Sequence, residues 1–283
     1  MKTKEVTSEI VHVNGINIHY VKYHNPGKPT LVLLHGLTAN CRAFEGLVSH
    51  GLGEQYELVA LDLRGRGLSS HPVFGYTIKA HARDVIELLN YLKLEQVVLV
   101  GHSYGGFLAS YLCYYYAHHV SKVVFLDSAP EMHPRTYEML QTAMGRLDKV
   151  YPNKEAYFEM INKAPYINFW DEDMEAYFEA DIKTLPDGSV KPRTDLAQIL
   201  QVALDVGISP ILKYFKSLKQ PALLICATDN YNLGEPILPG YLAEKAVGNM
   251  RNARVEYVDG NHHTMVYGHH ADEVVEMIER FVG

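Results

Sequence analysis

Five short stretches of the chain are apolar at nearly every position: Thr30–Leu34, Leu58–Leu61, Val97–Val100, Val123–Leu126 and Ala222–Ile225. A strand sandwiched between helices must be apolar on both faces, so such runs predict a parallel sheet at the centre of the molecule. Ahead of them, Ile10–Val13 and Ile16–Tyr23 flank Asn14-Gly15, and that dipeptide predicts a two-residue hairpin turn because both residues tolerate positive φ. Arg254–Val258 reads as the last strand.

Between the runs the apolar period changes to that of a helix. In Thr77–Leu92 the residues Ile78, Ala82, Val85, Leu89 and Leu92 recur at three- and four-residue steps, a second helix is predicted from Tyr104 to about His119, and Ala271–Phe281 places Val274, Val275, Ile278 and Phe281 on one face. Strands alternating with helices predict an α/β fold with a mostly parallel sheet. The alternation lapses between about Glu131 and Phe215, where prolines punctuate helical segments and Leu185-Pro-Asp-Gly-Ser189 marks a turn. That stretch is expected to be a helical insertion, placed to cover a site at the carboxyl ends of the strands.

Composition narrows the class. With 47% hydrophobic residues in 283, the chain can bury a sizeable core. Its 26 Lys and Arg against 33 Asp and Glu give a formal charge of -7, which argues against a nucleic-acid binder. Three scattered cysteines predict neither a disulfide framework nor a zinc site and fit a reducing compartment. The first residues lack the apolar core of a signal peptide, and no run approaches a bilayer span, so a cytoplasmic protein with no membrane span is expected.

The strongest chemical signal is Gly101-His102-Ser103-Tyr104-Gly105-Gly106, set directly after an apolar strand and before a helix. G-x-S-x-G in that setting is a nucleophile elbow, in which glycines let a tight turn lift the serine clear of the sheet. A glycine-rich turn with an incidental serine is the plain alternative. A dinucleotide-binding reading fails because its second glycine falls on Ser103, and no P-loop lysine follows, so no cofactor is expected. A nucleophilic Ser103 needs a base and an orienting acid. The base candidates are His262 and His263, just after the last strand, and the acid candidates are Asp127 and Asp229, at strand ends. The His35-Gly36-Leu37 turn suggests an oxyanion hole made by the N–H groups of Leu37 and Tyr104.

Together, His35-Gly36, the string Asp62-Leu-Arg-Gly-Arg-Gly-Leu-Ser69, the elbow and the terminal histidine segment resemble the α/β-hydrolase superfamily along nearly the whole chain. The resemblance implies a mostly parallel eight-stranded sheet flanked by helices, with a helical cap (131–215) inserted between two parts of one core (1–130 and 216–283). It also implies a Ser-His-Asp carboxylic ester hydrolase. The family's usual acid position after the seventh strand is shifted here by one residue in Ala227-Thr228-Asp229-Asn230, and a minority of members place the acid where Asp127 stands; Asp229 is the expected acid and Asp127 the alternative. Members that read N-H-Y-T select His262 over His263 in Asn261-His262-His263-Thr264.

Serine at the elbow argues against the epoxide hydrolases and haloalkane dehalogenases that share this resemblance but use aspartate there. The cap is rich in aromatic residues, and besides Tyr104 its Phe169 and Trp170 are candidates to bind substrate, although packing within the cap is the plainer role for each. From Glu131 to Asp181 there are 11 acids against 5 Lys or Arg, which favours a small neutral or apolar ester or lactone. The rival classes are a non-hydrolytic or C–C bond-cleaving enzyme on the same scaffold, such as a hydroxynitrile lyase or perhydrolase, a non-catalytic small-ligand receptor, and a histidine-based metal protein. An organophosphonate is expected to label Ser103, read by mass spectrometry. Absence of both labelling and p-nitrophenyl ester turnover in the folded protein would overturn the hydrolase reading.

Overall fold

The computed structural model describes residues 5–283; the first four residues of the segment expected to carry no leader lie outside the described residues. The apolar runs become strands. In chain order these are β1 (Val6–Val13), β2 (Ile16–Tyr23), β3 (Thr30–Leu34), β4 (Glu57–Leu61), β5 (Val97–His102) and β6 (Val120–Leu126). After a long insertion containing a small hairpin, β7 (Ile182–Thr184) and β8 (Val190–Pro192), come β9 (Ala222–Ala227) and β10 (Ala253–Val258). Eight of them form one sheet in the order β1-β2-β4-β3-β5-β6-β9-β10. The pairs β1/β2 and β2/β4 are antiparallel and all the others parallel. Asn14 and Gly15 take φ of 48° and 75° and close the first hairpin as their sequence requires.

Helices cover both faces of this sheet. The ones that matter here are α1 (Ile78–Tyr91), α2 (Tyr104–Tyr115), α3 (Lys154–Asn162), α4 (Glu172–Asp181), α5 (Leu196–Ile208), α6 (Gly240–Gly248) and α7 (Gly268–Val282). Thr77 caps α1 by accepting from the Ala80 N–H, and Asn153 and Asp171 cap α3 and α4 in the same way. The acids Glu172, Asp173 and Glu175 crowd the first turn of α4, where the helix dipole favours negative charge. Much of the acidic excess in the insertion is therefore a helix-start feature.

The insertion differs from expectation in one respect. No apolar run marks a strand there, yet Ile182–Thr184 pairs with Val190–Pro192 across the Leu185–Ser189 turn. Three-residue strands are too short to show a period, so only the turn was visible beforehand. Among the described residues no helix is long and apolar enough to cross a membrane.

The core runs through the sheet: Leu31 to Leu34 are fully buried, as is nearly all of β9. Helix α7 buries Ala271, Val274, Val275 and Ile278 against it and leaves its acids outside. Ile278→Ala removes a fully buried side chain from this contact. It is expected to cost about 2–5 kcal/mol in urea unfolding, and a loss below about 1 kcal/mol would show that α7 packs loosely.

Candidate active site

Parallel strands β3, β5, β6 and β9 end side by side, and each end contributes to one cavity or its support. Ser103 follows β5 with φ 53° and ψ −119°, a backbone strained for any residue with a Cβ. The turn is held by Ser103 N–H donating to the Leu126 carbonyl (3.1 Å), Gly106 N–H to the Ser103 carbonyl (2.9 Å) and the Ser128 hydroxyl to that same carbonyl (2.8 Å). A Cβ on Gly101 would strike the Gly105 carbonyl, one on Gly105 would strike the Leu34 carbonyl, and one on Gly106 would strike Ser128. All three glycines are thus demanded by close approach. Tyr104 is the first residue of α2, so its N–H has no partner within the helix and is available at the cavity.

His262 and Ser103 line the same cavity. The imidazole's partner is Asp127, not the expected Asp229: His262 Nδ1 donates to Asp127 Oδ2 at 2.6 Å. The other carboxylate oxygen of Asp127 accepts the Ala227 N–H at 3.1 Å. Asp127 is 1% exposed, whereas Asp229 is exposed in the loop after β9. The side of His262 toward that loop is occupied by Tyr231, whose ring meets the imidazole edge-on at 5.5 Å. With Nδ1 taken by Asp127, Nε2 is the ring nitrogen left without a hydrogen-bond partner among the described residues.

His262 rather than His263 meets the acid because Asn261 sets the turn. The Asn261 side chain accepts from the N–H groups of His263 (2.9 Å) and Thr264 (3.1 Å) and donates to the Tyr166 carbonyl (2.9 Å), and the Thr264 hydroxyl accepts from Asn261 N–H (2.9 Å). His263 lines the cavity but packs among Tyr166, Tyr177, Phe178 and Tyr267, and burial pushes its pKa down to about 3.

The turn after β3 is held from several sides. His35 Nδ1 donates to the Gly36 carbonyl (2.8 Å) and its Nε2 accepts from Leu63 N–H (3.0 Å); burial lowers its pKa to about 4, so the ring is neutral. In a trans peptide the N–H opposes the C=O, so fixing the Gly36 carbonyl also fixes the direction of the Leu37 N–H. Arg66 Nε holds the Leu37 carbonyl at 3.1 Å, and its Nη1 donates to His81 Nε2 at 3.0 Å. This assigns a task to the Asp62–Ser69 string that the sequence marked without explaining. Inside that string, Asp62 accepts from His19, Cys41 N–H and Leu68 N–H. Burial pushes Asp62 up, but the hydrogen bond and charge of His19 outweigh it and hold the carboxyl low. His19, Cys41 and Asp62 place ligand-type atoms within 4.8 Å of one another. Since Ser8 also takes His19 Nε2, the group reads as a satisfied hydrogen-bond knot.

The candidate substrate-contact residues divide. Tyr104 lines a second, apolar cavity that also reaches Ser103. Phe169 and Trp170 do not reach either cavity: Trp170 stacks on Phe178 (5.5 Å, 10°), and Phe169 lies against Gly268 and His270. Tyr166, Tyr177, Phe178 and Tyr231 line the cavity in place of Phe169 and Trp170. Three contributors escaped sequence reasoning. His102, inside the elbow, donates from Nε2 to the His262 carbonyl (2.8 Å), Ser128 braces the turn, and Arg146 stands buried in the cavity wall. The first two are adjacent to recognised strings; Arg146 carries no local pattern.

The family described as alpha/beta hydrolase fold matches residues 29–268. Over 126 residues the chain is 36% identical to a soluble epoxide hydrolase of Corynebacterium, a match covering 44% of the chain and only 43% of that protein. It is 27% identical to N-formylmaleamate deformylase of Pseudomonas putida over 264 residues, 89% of the chain and 88% of that enzyme. The crystal structure of an E-2-(acetamidomethylene)succinate hydrolase superimposes with a TM-score of 0.86 over 98% of this chain and 99% of that one, at 22% identity.

Gly105→Ala should disrupt the packing of β3, β5 and α2, because the new methyl meets main chain that cannot move aside. Gly207→Ala, in α5 with open space at its Cβ, serves as the control and is expected to stabilise by about 0.5–1 kcal/mol. Thermal melting compares them; equal midpoints would remove the close-approach argument.

Proposed function

Because the chain belongs to the alpha/beta hydrolase fold family, we propose that it is a serine hydrolase that forms an acyl-enzyme on Ser103, with His262 as base and Asp127 as the orienting acid. The observation that carries this reading is the buried 2.6 Å His262–Asp127 hydrogen bond beside a serine held at positive φ in the same cavity. Ser103 Oγ attacks the substrate carbonyl while His262 Nε2 takes its proton, and Asp127 stabilises the imidazolium formed. The Leu37 and Tyr104 N–H groups receive the developing oxyanion, worth about 3–4 kcal/mol per donor in comparable enzymes. The imidazolium then protonates the leaving group, and water, activated by the same histidine, releases the acid.

The bond cleaved is a carboxylic ester or lactone of a small substrate. Support for an apolar portion comes from the cavity of about 260 Å³ beside Ser103, walled by Phe107, Met132, Val206 and Ile237. A second reading, hydrolysis of an N-acyl bond, is favoured by the likeness to N-formylmaleamate deformylase along most of both chains. Residues 131–215 act as the cap, since Tyr166, Tyr177 and Phe178 close the cavity over Ser103. The three buried free cysteines fit the proposed cytoplasmic location.

The acid assignment gives the test. Asp127→Asn is expected to lower kcat by about 10³–10⁴-fold on a p-nitrophenyl ester, whereas the exposed Asp229→Asn should stay within about twofold of the parent. The opposite ranking would return the role to Asp229.

A further inference from the structure

Two cavities meet at Ser103, and they differ in chemistry. The larger is apolar. The smaller, about 60 Å³, lies between Ser103 and the inserted stretch, and Arg146 stands in its wall. Arg146 is 3% exposed. Its Nε donates to Asp181 (3.1 Å) and Tyr157 (3.3 Å), Nη1 to the Thr38 hydroxyl (3.3 Å) and the Ala143 carbonyl, and Nη2 to the Thr38 carbonyl (2.9 Å). A guanidinium has five N–H donors, so Nη2 retains one with no acceptor among the described residues.

We propose that this smaller cavity binds a carboxylate of the substrate, received by the spare Nη2–H of Arg146, while the apolar remainder occupies the larger cavity. The inference rests on the serine hydrolase reading and names the substrate class of that site. A second, independent observation points to a ligand there: His263 Nε2 is buried in the same wall with no hydrogen-bond partner among the described residues. An unsatisfied buried polar atom costs about 1–3 kcal/mol, a cost a polar ligand removes. The volume suits the group: about 60 Å³ is well below the roughly 150 Å³ of a cavity that takes a benzene ring and fits a group as small as a carboxylate.

Charge agrees with this placement. Burial works against the Arg146 cation, but Asp181 outweighs it and keeps the guanidinium charged. Asp181 is in turn satisfied by Arg146 and the Tyr157 hydroxyl. The positive field of Arg146 also reaches Tyr166, Tyr177 and Tyr231, which line the cavity. A buried ion pair is a poor device for stability alone, since an apolar pair of like size serves as well or better. The acidic balance of the insertion does not oppose an anion here, because Glu172, Glu175 and Glu179 are exposed on its outer surface.

The test uses a matched pair of probes, monophenyl succinate and its neutral methyl ester. Wild-type kcat/KM, corrected for spontaneous hydrolysis, is expected to favour the acid by at least about tenfold. In Arg146→Met combined with Asp181→Asn, which leaves no buried charge unpaired, that ratio should fall to within about twofold. A wild-type ratio near one, or in favour of the neutral ester, overturns the proposal; so does a folded double variant that keeps the preference. If the double variant does not fold, calorimetric titration of Ser103→Ala with the same two probes decides, with tighter binding of the acid expected and equal binding fatal. That titration also separates the two readings: preferential acid binding without turnover or phosphonate labelling of the wild type sinks the hydrolase and keeps the carboxylate site. Turnover without preference does the reverse.

Discussion

Everything at the site depends on how closely β5 and α2 approach the ends of β3 and β6. Gly101, Gly105 and Gly106 have main chain or Ser128 where a Cβ would stand, so the chain reverses in the space of one residue. That compression holds Ser103 in a strained conformation at the exposed end of a buried strand. The strain persists because hydrogen bonds to the Leu126 carbonyl and from the Gly106 N–H and the Ser128 hydroxyl over-determine it. A looser turn would leave a serine near the sheet, without a fixed relation to the Leu37 and Tyr104 amides.

From that point the site is built by neighbouring strand ends, each of which adds one group and one brace. The β3 turn is gripped by His35, Arg66 and Arg146, so both the Leu37 and Thr38 carbonyls point away in known directions. Asp127, itself at φ 45°, turns its carboxylate between β9 and the histidine loop. His102 pins the backbone of His262, and Asn261 shapes the loop that carries it. The buried histidines His35, His81 and His102 have pKa values lowered by burial, so they serve as neutral hydrogen-bonding groups while His262 alone meets a carboxylate in the cavity.

The tyrosine excess of the composition separates along the same lines. Tyr166, Tyr177 and Tyr231 close the cavity, while Tyr111, Tyr114, Tyr115 and Tyr214 form a separate cluster of ring contacts on α2 and the segment that follows α5. The first group sits within the field of the buried Arg146 guanidinium and the second packs ring against ring, so one residue type does two unrelated tasks.

Local pattern was sufficient wherever the physics is local. Continuous apolar runs announced the five inner strands β3, β4, β5, β6 and β9, because burial on both faces leaves no polar position, and the Asn14-Gly15 turn announced the β1–β2 hairpin. Periodic apolar residues announced α1 and α7, and the elbow string announced Ser103, because close approach admits only glycine at its flanks. Choices between residues of the same type at the ends of adjacent strands were not local. Asp127 and Asp229 both follow apolar strands, and only the packed sheet decided that one faces His262 while Tyr231 fills the space on the other's side. Phe169 and Trp170 could not be told from Tyr166 and Phe178 by sequence, since all four are aromatic residues in one insertion. Arg146 lay deeper still: its partners Thr38 and Asp181 are far away in the chain, and one of five cations in an acidic stretch looks solvated until tertiary structure buries it beside the serine.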